Sequence, residues 1–311
     1  MNSERAIVER VRMSDVPSHS GMNRRQFLNV SLAVAGGLAV LAPRRAWSEA
    51  DRKEARWAFL SDTHIAADPE DNYRGFYPYR NFEKAVGQLA ADLPDGIVIT
   101  GDLARLTGQM GDYENLHKLL MPVLGKRPTC LALGNHDDRA VFLDVFEDRA
   151  GQAQPIKDKH VVAVEAGPVR FLLLDSLYAT NKTPGFLGKA QRSWLQRYLA
   201  QSDDKPVILF FHHTLGDGDG DLLDVMWLFD LVKPIRKVKA VVYGHSHEYK
   251  TSELDGIHLI NIPATAYTFN DKEPAGWIEA RLTADGGEFL LHALAGNTQL
   301  DGRIEGVRWR S

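Results

Sequence analysis

Thr129-Cys130-Leu131-Ala132-Leu133-Gly134-Asn135-His136-Asp137-Asp138-Arg139 is the stretch on which the reading of this chain turns. Thr129–Leu133 is a short apolar run that reads as a buried strand. An amide, an imidazole and two carboxylates follow it directly. Four more strand candidates end the same way. Arg56–Ser61 runs into Asp62-Thr63-His64, and Gly96–Thr100 into Gly101-Asp102. Val207–Phe211 runs into His212-His213, and Val238–Tyr243 into Gly244-His245-Ser246-His247. The ligand crevice of an α/β sheet lies at the carboxyl ends of its strands. One Asp or His after a strand is usually a turn residue or a helix cap. Independent turns have no reason to choose imidazole in four of these five places.

The residue types name the chemistry. Carboxylate, imidazole and amide oxygen suit Mn²⁺, Fe²⁺, Co²⁺ or Zn²⁺, and no thiolate is offered. Asp-x-His and His-x-His let alternate residues of one turn reach one ion cluster. The glycines before Asp102, Asn135 and His245 permit tight turns and close backbone approach. Two metals in such a place clamp an in-line displacement at phosphorus and lower the pKa of a bridging water.

Around these blocks, further strand candidates lie at Val161–Glu165, Val169–Leu174, Ile257–Ile262, Gly276–Leu282 and Glu288–Ala293. Helical patterns lie near Asn81–Asp92, Asp112–Leu124, Arg139–Glu147, Lys189–Ala200 and Leu222–Lys233. Strand-helix alternation implies βαβ units. The last quarter turns to strands, separated by Asp255-Gly256 and Asp285-Gly286-Gly287. Two packed sheets with helices outside fit that order.

The five blocks resemble, in order and rough spacing, the motifs of the calcineurin-like metallophosphoesterases, over about Ala58 to His247. Gly134–Arg139 followed by an apolar helix, with Leu174-Asp175-Ser176 and Gly188–Leu195, is similar to the cyclic-nucleotide and glycerophosphodiester phosphodiesterase branch. The resemblance implies an α/β/β/α sandwich, two mixed sheets flanked by helices, with a dinuclear metal site at the strand ends. It implies two divalent ions, Mn, Fe or Zn. Asp62, His64 and His247 would hold the first and Asn135, His212 and His245 the second, with Asp102 bridging. His136 would stand outside the metals and donate a proton to the leaving oxygen, or hold the phosphate. A metal-bridging hydroxide would attack in line. Asp137 would orient a histidine.

Three departures narrow that resemblance. Purple acid phosphatases place a Tyr ligand where this chain has Arg105, which argues against a tyrosinate-bound ferric ion. Gly101-Asp102-Leu103-Ala104-Arg105 and Gly134-Asn135-His136-Asp137 differ from the protein Ser/Thr phosphatase motifs. Thr214–Asp221 follows His212-His213 where that branch commonly has prolines.

Specificity is expected from the rim segments Asp68–Arg80 and Thr214–Asp224. Arg74, Tyr77, Arg105 and Arg139 are candidate substrate-binding residues, since arginine grips phosphate and aromatic rings stack on bases or sugars. An aromatic loop covering the sheet edge is the competing reading of Asp68–Tyr79. His213 points away from a neighbouring ligand if its segment is extended. Asp217–Asp221 alternates Asp and Gly without the downstream Glu of an EF-hand, so it reads as a rim loop.

The N-terminal stretch resembles a twin-arginine export signal. Arg24-Arg25-Gln26-Phe27-Leu28 precedes a weakly apolar run, Val30 to Leu41, and small residues follow up to Ala50. That run is shorter than the ~20 residues a spanning helix needs, so no stable membrane anchor is expected. Residues 1–48 are expected to be cleaved, leaving a phosphoesterase domain over 49–311. The twin-arginine translocase is then a transient partner, and the compartment periplasmic or secreted.

The 311 residues carry a formal charge of −4 and one cysteine, Cys130. Residues 1–48 hold seven arginines and three acidic residues, so their removal deepens the charge to −8. Wrapping a nucleic-acid polymer normally needs a basic surface, and this balance argues against it. A lone thiol forms no intrachain disulfide, and Cys130 is expected buried. The leading reading is an exported dinuclear phosphodiesterase acting on a small phosphate ester. A phosphomonoesterase or nucleotidase on the same site is the alternative. A binding module of this fold that has lost catalysis fits less well, because no ligand of the set is missing.

Overall fold

Apolar runs of Val, Ile, Leu and Phe extend into strands that pair as two six-stranded mixed sheets in this computed structural model. The structure describes residues 52–146 and 154–311. The twin-arginine segment and the expected cleavage region, residues 1–48, lie outside the described residues. The first sheet contains β1 (Glu54–Leu60), β2 (Gly96–Ile99), β3 (Thr129–Leu131), β10 (Pro274–Thr283), β11 (Gly286–Gly296) and β12 (Ile304–Arg308). Its order is β12-β11-β10-β1-β2-β3. β1, β2 and β3 run parallel, and β1 pairs antiparallel to β10 with Phe59 opposite Ile278. The second sheet has the order β4-β5-β6-β7-β9-β8. It is built from β4 (Val162–Ala166), β5 (Val169–Leu173), β6 (Val207–Phe210), β7 (Val238–Tyr243), β8 (Lys250–Leu254) and β9 (Ile257–Asn261). β5, β6, β7 and β9 run parallel, with antiparallel strands at both edges.

Side chains alternate across a strand, so each sheet buries two faces. Between the sheets, Phe59 packs edge-on against Phe210 at 4.9 Å, and Phe171 against Phe210 at 4.9 Å. Trp57 and Cys130 are buried in the same layer. The outer face of the first sheet is covered by α1 (Pro78–Ala91), α2 (Met110–Leu120) and α3 (Arg139–Val145) through Phe82, Leu116 and Phe142. The outer face of the second is covered by α4 (Gly188–Gln201) and α5 (Val225–Val232) through Leu195 and Leu228. The result is the four-layer α/β/β/α arrangement.

β8 and β12 were not expected from the sequence. Each is an outermost strand, and Lys250-Thr251-Ser252-Glu253 presents mostly exposed polar residues. Neither strand writes an apolar run, in contrast to β3, an outermost strand whose residues are all buried. Among the described residues no helix is long and apolar enough to cross a membrane.

Helix starts tie the site loops down. The Asp138 carboxylate caps α3 by accepting from the Ala140 and Val141 amides, both at 3.0 Å. Asp112 accepts from the Gln109 amide at the start of α2 and from the Ala67 amide at 2.8 Å. The second bond fastens the loop that leaves His64.

Candidate metal centre

All five strand-end blocks meet where the adjoining ends of the two sheets open. The loop after β1 does not stop pairing when the strand stops. The Asp62 amide donates to Gly101 O at 3.0 Å, and the His64 amide to Asp102 O at 2.9 Å. Between those bonds the backbone kinks. Asp62, His64, Asp102, His245 and His247 all take positive φ, from 43° to 72°. A left-handed residue other than glycine costs about 1–2 kcal/mol. Five such residues in one cluster concentrate strain at the site, which the pairing around them holds.

Two glycines make the close approach achievable. A Cβ on Gly134 would lie 2.5 Å from the Asp102 amide nitrogen and 2.7 Å from Cδ2 of His212. A Cβ on Gly244 would lie 2.5 Å from Oδ2 of Asp62. Any side chain there would push the loops apart.

The donor atoms fall into overlapping groups. Asp62, His64 and His247 form one, and Asp102, His212 and His245 another, each set of ligand atoms within 4.8 Å of one another. Asp102 also groups with His64 and His136. Its Oδ2 is 3.2 Å from Nε2 of His212, 3.7 Å from Nε2 of His64 and 3.9 Å from Nε2 of His136. The Asp102 carboxylate thus stands between the two halves. Asn135 is buried beside it, and its Oδ1 takes no hydrogen bond.

Backbone carbonyls orient the imidazoles. Nδ1 of His64 faces Arg105 O at 3.3 Å, Nδ1 of His136 faces Leu106 O at 2.9 Å, and Nδ1 of His247 faces Tyr267 O at 2.8 Å. A carbonyl only accepts, so in the neutral ring the proton sits on Nδ1 and Nε2 carries a lone pair. Nε2 of His64 and Nε2 of His247 are then two lone pairs 3.2 Å apart. Oδ1 of Asp62 lies 3.3 Å from Nε2 of His247 and is buried without a hydrogen bond. Acceptors converging on acceptors fit a shared cation between them, and the O/N donor set suits a first-row divalent ion.

Electrostatics point the same way. Burial drives His64 down to about 3, against the charge of Asp102. Burial and the charge of His212 drive His245 down to about 4. For His212, burial is outweighed by the Asp102 and Asp62 carboxylates, which lift it to about 9. Burial disfavours charge on Asp62 and Asp102, yet His212 beside them holds both well below the carboxylate range.

One expected role is corrected by the geometry, and a second residue meets a partner the sequence does not reveal. Asp137 does not orient a histidine. Its carboxylate accepts from the Gly134 amide at 2.8 Å, the Ala104 amide at 3.0 Å, the Leu103 amide at 3.1 Å and the Tyr113 hydroxyl at 3.1 Å. It locks the loop after β2 to the loop after β3, and so places Asp102 and Asn135. Burial, with the charge of Asp102, pushes it up to about 7. Arg139 is engaged inside the fold. Its guanidinium grips the buried Asp175 at 2.7 and 3.0 Å and donates to Leu177 O at 2.9 Å.

The remaining candidates sit at the rim. Arg105 donates to Asp71 at 2.7 Å, and Arg74 to Phe269 O at 3.0 Å. Tyr77 is exposed under the guanidinium of Arg80, 4.4 Å from the ring centroid. His213 is buried, with Nδ1 at 2.8 Å from the Ser176 hydroxyl. The Asp-Gly loop closes on itself: Asp221 accepts from Thr214 and from the Gly218 amide. Tyr267 was missed by sequence reading. Its carbonyl aims His247, and its ring lies 4.9 Å from His64 and 4.7 Å from His247. No motif marks it, because the carbonyl belongs to any residue.

The family model of calcineurin-like phosphoesterases matches residues 55–249. The 3',5'-cyclic adenosine monophosphate phosphodiesterase of Pseudomonas aeruginosa is 27% identical over 218 residues, 68% of this chain and 76% of that protein. The glycerophosphodiester phosphodiesterase of Enterobacter lignolyticus is 26% identical over 218 residues, 68% of this chain and 77% of its own. Among solved structures, a dimetal phosphatase from Danio rerio superposes with a TM-score of 0.64 at 15% identity, covering 82% of this chain and 99% of that one. With the fold, the strand-end ligand cluster and the match over most of the described chain in agreement, the protein belongs to the calcineurin-like phosphoesterase family.

Proposed function

We propose that this protein is an exported, dinuclear metal-dependent phosphodiesterase acting on a small phosphate ester. The observation that carries the reading is the Asp102 carboxylate, whose Oδ2 lies 3.2 Å from His212 and 3.7 Å from His64. One oxygen faces both ligand groups. Asp62, His64 and His247 would hold one ion, and Asn135, His212 and His245 the other, with Asp102 shared. When bound, such ions supply Lewis acidity to phosphate oxygens and lower the pKa of water, the source of the hydroxide nucleophile.

The chain's own residues do the rest. Carbonyls of Arg105 and Tyr267 fix the ring planes of His64 and His247, so the donors need little rearrangement. Asp137 holds the loops that carry Asp102 and Asn135. His136 is a fifth exposed, with Nε2 directed toward Asp102 and Nδ1 on Leu106 O. Since Nδ1–H is tied to that carbonyl, His136 must enter as imidazolium to give the leaving oxygen a proton from Nε2.

Diesters are favoured over monoesters because the similar curated proteins are named for cyclic nucleotide and glycerophosphodiester hydrolysis. Export is supported by Arg24-Arg25 ahead of the Val30 to Leu41 run, and the translocase would act on the folded chain. The test is hydrolysis by protein loaded with Mn²⁺ or Zn²⁺. Bis(p-nitrophenyl) phosphate is expected to turn over faster than p-nitrophenyl phosphate. The reverse order makes the protein a monoesterase, and no hydrolysis of any phosphate ester removes the enzymatic reading.

A further inference from the structure

An aromatic wall rises from the His64/His247 side of the centre, and neither ligation nor core packing explains its outer rings. Phe269 is 50% exposed, although its ring centroid lies 4.6 Å from that of the buried His247. Tyr73 is 38% exposed and meets the buried Tyr267 edge-on at 4.9 Å. Tyr267 in turn contacts Phe269 at 5.6 Å. The wall therefore runs unbroken from a ligand histidine to solvent. It joins residues 195 positions apart, because Arg74 donates to the Phe269 carbonyl and its guanidinium lies 5.9 Å from the Phe269 ring. Arg105, held by Asp71 at 2.7 Å, stands over Tyr73 at 5.2 Å.

Two exposed rings joined in one wall beside the ligand cluster offer a contiguous apolar face to a flat partner. A ligand covering both features needs an anionic phosphate at the metal centre and a flat π-face a few ångströms away. We infer that Phe269 and Tyr73 form a stacking subsite for the base of a nucleotide ester. The inference rests on the phosphoesterase reading and deepens it by naming the substrate class. Glycerol or other aliphatic alcohols offer no ring to such a wall. Arg74 contributes positive charge along it and holds Phe269 in place, while Arg105, paired with Asp71, packs over Tyr73.

The test uses metal-loaded full-length protein and the variants Phe269→Ala, Tyr73→Ala and Phe269→Trp, each checked by thermal melting. Titration with adenosine 5'-phosphate and with glycerol 3-phosphate gives an affinity ratio. Turnover of 3',5'-cyclic AMP against glycerophosphoethanolamine gives a ratio of kcat/KM. Base–aromatic stacking measured by alanine substitution corresponds to roughly ten-fold in affinity. Phe269→Ala is expected to lower both ratios by about ten-fold, mainly through KM, with Phe269→Trp retaining them. Tyr73→Ala is expected to act in the same direction. Equal losses on both ligands, or unchanged ratios in folded variants, overturn the subsite. If wild-type protein cleaves neither diester, the diesterase reading fails, while the adenosine 5'-phosphate to glycerol 3-phosphate affinity ratio still decides the subsite.

Discussion

Oδ2 of Asp102 lies 3.2 Å from Nε2 of His212, and both groups are buried. Asp102 also groups with His64, so its carboxylate lies within reach of both sets of donors. Asp102→Ala is expected to reduce bound metal from two ions to one or none and to lower activity more than about 100-fold. Metal analysis after gel filtration checks this. A variant that binds two ions with wild-type affinity ends the bridging assignment.

His136 tests the division between ligand and proton donor. General acid catalysis is worth about 100-fold or more in rate. His136→Ala should therefore lose turnover to that extent while keeping its metal content. Loss of metal on the same substitution makes His136 a ligand, as its grouping with His64 and Asp102 allows.

The metal-free protein should be most stable near pH 6.5. His64 and His245 have folded pKa values of about 3 and 4, so below the usual 6.5 the unfolded chain binds more protons and stability falls with acid. His212, raised to about 9, is the opposite case. Its contribution is fully present below 6.5 and is lost as pH rises toward 9. Chemical denaturation of chelator-treated protein from pH 5 to 9 should give a single maximum. Metal loading should abolish the alkaline decline, because a bound ion replaces the proton on His212. A monotonic rise through pH 9 without metal would show that the carboxylates do not hold that proton.

Arg139 separates stability from substrate binding. Its partner Asp175 is fully buried. Removing one member of a buried ion pair costs up to about 3–5 kcal/mol, and Lys159 at 3.7 Å from Asp175 offsets part of that. Arg139→Ala should lower the melting temperature strongly, with KM changing little in whatever remains folded. The opposite pattern returns Arg139 to the substrate.

Export is tested on the segment itself. Residues 1–50 fused to a folded reporter should carry it across the inner membrane of a bacterial host. Substituting Arg24→Lys and Arg25→Lys together should hold it in the cytoplasm. Equal export of both fusions removes the twin-arginine reading.

Much of the site was legible because its signal is local. A buried strand writes a short apolar run into the sequence, and the donor residues interrupt that run at its end, as Leu133 gives way to Gly134-Asn135-His136. The central strands, and the five α-helices among the described residues, were found from such local patterns. β8 and β12 were missed because most of their residues are exposed and they write no apolar run, unlike the buried edge strand β3. The partners of Asp137 and Arg139 were not legible because residue type alone does not say which group a carboxylate or guanidinium meets. Asp137 met backbone amides from two loops, and Arg139 met Asp175.

Residue identity and short-range pattern were enough for the order of the Asp, Asn and His blocks along the chain and for the family. Tertiary structure decided the tautomers of His64, His136 and His247, because the carbonyls of Arg105, Leu106 and Tyr267 that fix them are identical on every residue type. It also decided that Tyr73 and Phe269 share one wall, because that contact depends on how distant loops fold together and leaves no period in the chain.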